Sequence, residues 1–138
     1  MKAMLLVVFV VVLLFFWVGA ETSRRNKQIE KAFSGRESLT IEQFYSRYFQ
    51  DKGIPFSIVA GVVKTLEEQL NADMSRIRPD DDFSKILEFF WAYDDMADVA
   101  IVVEFEKLFD IVISNDEAES THTIADIVNL IHFKREAR

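Results

Sequence analysis

Cysteine is absent from the 138 residues, which rules out disulfides, thiolate metal ligands and thiol nucleophiles. Histidine occurs only at His122 and His132, too few for a histidine-rich metal centre. Two prolines and four glycines are too few for a β-sandwich with its many tight turns. The sequence also lacks a glycine-rich phosphate loop, a metal-ligand constellation and a hydrolytic triad. It therefore points away from an enzyme, and no catalytic residue, metal or cofactor is assigned. Basic residues are scarce where acids are plentiful. From Glu37 onward 10 Lys or Arg face 21 Asp or Glu, a balance of −11 within a whole-chain charge of −7. Such a domain repels the phosphates of nucleic acids and suits a basic surface on a protein partner.

Apolar residues, by contrast, crowd the amino terminus. Ala3 to Val18 is uninterrupted (AMLLVVFVVVLLFFWV) and extends to Ala20. Roughly 18 residues at about 1.5 Å each give about 27 Å, which predicts a single transmembrane helix. Arg24, Arg25, Lys27 and Lys31 outweigh Lys2, which predicts a single-pass protein with its carboxyl-terminal domain in the cytoplasm. The alternative is a signal peptide cleaved at Ala20, releasing a periplasmic or secreted protein. Lys2 supplies its basic start and Val18-Gly19-Ala20 its small residues. Residues 21–37 read as a basic juxtamembrane linker or a helical extension of the anchor. Its charge serves anionic headgroups or topology alone.

Three further helices are legible from caps and periodicity. Thr40 with Gln43 fits a capping box, opening a helix that carries Phe44, Tyr45, Tyr48 and Phe49 and stops at Lys52-Gly53. This additional helix occupies 38–53, and its aromatic face reads as packing. Pro55 stands at the first turn of the next helix, where Val59, Val62, Val63, Leu66 and Leu70 form one stripe. Asn71-Ala72-Asp73 breaks it, and a long loop through Ile77, Pro79, Asp80, Asp81 and Asp82 follows. Thr123 with Asp126 caps a last helix that carries Ile124, Ile127, Val128 and Ile131.

Between loop and last helix the order of features is specific. Asp94 and Asp95 open a helix that ends in Glu106-Lys107-Leu108-Phe109-Asp110. Ile111-Val112-Ile113 and the acidic Asn115-Asp116-Glu117-Ala118-Glu119 come next. Together with Leu66-Glu-Glu-Gln-Leu and the loop to Phe83, this order resembles the acyl carrier protein family. The resemblance implies an all-α fold, an acyl-carrier-like helical bundle over residues 54–138, preceded by the aromatic helix and the transmembrane helix at 1–20. It also implies a site. The family's Asp-Ser-Leu motif carries phosphopantetheine on its serine, and the matching positions here are Asp94, Asp95 and Met96. A phosphodiester to phosphopantetheine needs a hydroxyl, so a carboxylate at Asp95 implies a carrier-like scaffold without the prosthetic group.

The pair Asp94 and Asp95 otherwise reads as helix-capping carboxylates at the positive end of a dipole. Between Leu87 and Asp94 lie six residues, EFFWAY, where the family has about two. Phe89, Phe90 and Trp91 form either an added packed turn or a docking patch. Met96, Val99, Ile101, Val102, Val103, Phe105, Leu108 and Phe109 make the helix apolar over more than half its circumference, which predicts deep burial. Asp98, Glu104 and Glu106 remain as acids along it. The partner-binding residues predicted are thus Asp94, Asp95, Asp98, Glu104, Phe89, Phe90 and Trp91. The function expected is a membrane-anchored, non-enzymatic interaction module. The alternative is a carrier of lipid or polyketide metabolism modified at another hydroxyl, or one that acts unmodified as a docking competitor.

Overall fold

The computed structural model describes residues 2–82 and 97–138; within its helices the side chains at 18–23, 25, 97 and 98 fall outside that description. All regular elements among the described residues are helices, apart from one isolated bridge between Asp82 and Thr123. The chain divides into two compact units, Met1–Ser34 and Gly35–Arg138.

The first unit is one helix, α1 (Lys2–Ala32), so the basic segment after residue 20 is helical. The single-pass membrane expectation is overturned here: among the described residues no helix is long and apolar enough to cross a membrane. The helix α1 has 31 residues and carries apolar side chains along its amino-terminal half. Charged and amide side chains (Arg24, Asn26, Lys27, Gln28) occupy the turns toward its carboxyl end. The apolar side chains from Met4 to Trp17 are exposed around the whole helix.

The second unit is a helical bundle. Its first helix, α2 (Ile41–Tyr48), has the capping box read from the sequence. Thr40 Oγ1 accepts from the Gln43 N–H at 3.1 Å, and the Thr40 N–H donates to Gln43 Oε1 at 2.9 Å. Phe44 and Phe49 are buried, and Phe44 stacks obliquely on Tyr48 and Phe49. A single 3₁₀ turn (Gln50–Lys52) ends at Gly53, whose φ of 72° is the left-handed conformation that glycine adopts without strain. The Tyr45 hydroxyl then donates to the Ile54 carbonyl at 2.7 Å, holding the turn against α2.

The helix α3 (Phe56–Leu70) starts after Pro55, as predicted, and packs against α2, α4 and α6. Val59, Val62, Val63, Leu66 and Leu70 are all buried, and burial extends to Ile58, Ala60 and Thr65. It ends in a Schellman arrangement: Asn71 has φ 47° and the Ala72 N–H returns to the Glu67 carbonyl at 3.3 Å. The remaining helices are α4 (Ala97–Phe109), α5 (Asn115–Glu119) and α6 (Ile124–Glu136). Thr123 and Asp126 form the capping box of α6, with Ile124, Val128 and Ile131 fully buried beneath it.

One buried charge holds the loop between α3 and α4. Asp81 is 5% exposed and takes both arms of the Arg36 guanidinium, at 2.7 and 2.9 Å, plus the Arg78 N–H at 2.7 Å. Arg36 falls in the stretch read from the sequence as a basic linker serving headgroups or topology alone, and it is committed to the bundle. Its neighbour Arg78 donates to the Glu37 carbonyl at 2.6 Å, tying the same two segments a second time. The loop's carbonyls at Pro79 and Asp81 accept from Ala125 and Ile124, so it also holds the start of α6.

Candidate partner-binding site

Of the residues singled out by the sequence, Phe89, Phe90, Trp91, Asp94 and Asp95 lie outside the described residues. Asp98 belongs to α4, with its side chain outside the description. Glu104 is therefore the one predicted contact residue whose surroundings are visible. Its Oε1 lies 3.6 Å from Lys107 Nζ in an exposed i,i+3 pair, so part of its charge is already answered within the helix.

Glu106 has a structural duty instead. Its Oε2 accepts the Ile113 N–H at 3.2 Å, fixing the chain after α4. That helix ends as α3 does, with Asp110 at φ 52° and the Ile111 N–H bonded to the Glu106 carbonyl at 3.2 Å. Aspartate tolerates this left-handed position because its short polar side chain can bond locally. Here Arg138 pairs with it at 2.8 Å, and this pair holds the Asp110 carboxyl below the usual range. Arg135 Nη1 donates to the Phe109 carbonyl at 2.9 Å, so two arginines near the end of α6 grip the end of α4.

The predicted deep burial of α4 does not occur. Ile101, Phe105 and Phe109 form a buried i, i+4, i+8 row, whereas Val99, Val103 and Leu108 are 48%, 40% and 56% exposed. The reason is geometric. Among the described helices α4 packs chiefly against α3, and one helix covers only one stripe of another. Contact between them is close because α3 presents Gly61 there. A Cβ on Gly61 would stand 2.6 Å from Phe109 Cζ and 3.0 Å from Leu108 Cδ2. Val99 and Val103, one turn apart, are thus left exposed on the outer face of α4, while Leu108 lies at the edge of the α3 contact.

At the carboxyl end of this helix, Val112 (75% exposed) and Phe133 (69% exposed) flank an open groove of about 420 Å³ floored by Ile111. Its cations are engaged: Lys134 with Glu117 at 2.8 Å, Arg138 with Asp110. The Lys134 pair also lowers the Glu117 carboxyl, helped by backbone and hydroxyl bonds from Ser114. A smaller cavity of about 180 Å³ lies between α2 and α3, walled by Leu39, Phe44, Val63, Met74 and Ile77 with Glu67 at its edge. Among the described residues no group of His, Cys, Asp and Glu is arranged to hold a metal ion. His132 lies 3.3 Å from Glu136 on the same helix, a local contact within α6.

Sequence reading did not give the structural roles of Arg36, Glu106 and Ser114. The last had a visible signal: Ser114-Asn115-Asp116-Glu117 is a capping box, and α5 is built on it with bonds of 3.1 Å in both directions. Arg36 and Glu106 act through contacts that no local pattern announces. No protein-family model matches the chain.

Proposed function

We propose that this chain is a non-enzymatic, acyl-carrier-like helical module that works by binding a protein partner and bears no phosphopantetheine. The observation that carries the reading is the exposed apolar pair Val99 and Val103, one turn apart on α4, with the acid Glu104 next in the chain. Clustered apolar side chains at the surface favour a covering partner, and an acidic rim favours a basic one. The resemblance to carrier proteins supports the reading through the order of helices, and Asp95 supports the absence of a prosthetic arm because it offers no hydroxyl. The partner-facing set is Glu104 with Asp94, Asp95, Asp98, Phe89, Phe90 and Trp91.

Crosslinking of the native protein, followed by an affinity measurement on the recovered partner, tests this. Val103→Glu should weaken binding by about tenfold or more, the scale of a lost central contact. Because Val103 is exposed, the melting temperature should stay close to that of the parent. Equal affinity of parent and variant would remove α4 from the interface. Intact-mass measurement of native material should show no phosphopantetheine; a mass increase of that group on any serine or threonine would overturn the unmodified reading.

A further inference from the structure

We draw no further inference here: the strongest candidate, the apolar surface that α1 exposes around its whole circumference from Met4 to Trp17, carries none because nothing in the structure shows what covers it.

Discussion

Asp81 and Glu117 show how differently two carboxylates in one small bundle can matter. Asp81 is buried and held by Arg36 and the Arg78 N–H, whereas Glu117 lies at the surface with Lys134. Removing one partner of a buried pair strands the other charge, at a cost of about 3–5 kcal/mol. Arg36→Met should therefore lower unfolding stability by about 3 kcal/mol in urea titration, slightly less than the full range because Arg36 keeps some solvent contact. The double variant Arg36→Met/Asp81→Leu should recover a large part of that loss, since no lone charge remains inside. Glu117 and Asp110 work through pH instead. Both ionise more readily in the folded chain, through Lys134 and Arg138 respectively. Their contribution is complete above the ordinary carboxylate values of about 4 and disappears as pH falls through the lower folded values. Melting temperature should drop between pH 6 and pH 3, and Glu117→Gln should start lower at pH 6 and show a smaller drop. An identical pH slope for parent and variant would show that the Lys134 pair contributes nothing.

Among the helices, the α3–α4 crossing depends on a missing side chain. Gly61→Ala adds a methyl that meets the Phe109 ring and Leu108, and overpacking of this kind costs about 1–3 kcal/mol. Alanine returns up to about 1 kcal/mol of helix propensity, so a net loss of about 1 kcal/mol is expected in chemical denaturation. Alanine at the exposed helical position Lys64 should show no such loss. The helices themselves were readable because their signals are local. Thr40 with Gln43, Pro55, and Thr123 with Asp126 each mark a boundary within a few residues. The stripe from Val59 to Leu70 likewise needs only one period to be recognised. What a helix packs against is not local, and here the reading fell short. The apolar residues along α4 suggested burial on all sides, yet among the described ones Ile101, Phe105 and Phe109 are buried while Val99, Val103 and Leu108 are exposed. Arg36 and Asp81 are 45 positions apart, and nothing in either neighbourhood says that they meet. The candidate site was legible only as a motif position, and its first residues lie outside the described structure.

For the molecule as a whole, the balance of −11 from Glu37 onward bears on how the proposed partner would be met. Attraction to a basic surface is screened over about 10 Å at 0.1 M salt and about 3 Å at 1 M. Capture of the crosslinked partner should weaken as salt rises from about 0.05 to about 0.5 M, chiefly through slower association, because steering depends on long-range charge. Salt-independent association rates would place the recognition in the apolar residues Val99 and Val103 alone. The apolar run from Ala3 and the basic residues after it invited a membrane reading, but among the described residues no helix is long and apolar enough to cross a membrane. Arg36 has one more consequence, for where the working piece of this chain begins. The five residues ahead of the first bundle helix look like dispensable lead-in, yet they supply the counter-ion for an interior acid. A fragment trimmed to start at Ile41 would fold around an orphaned anion, so the smallest self-sufficient piece opens no later than Gly35–Arg36.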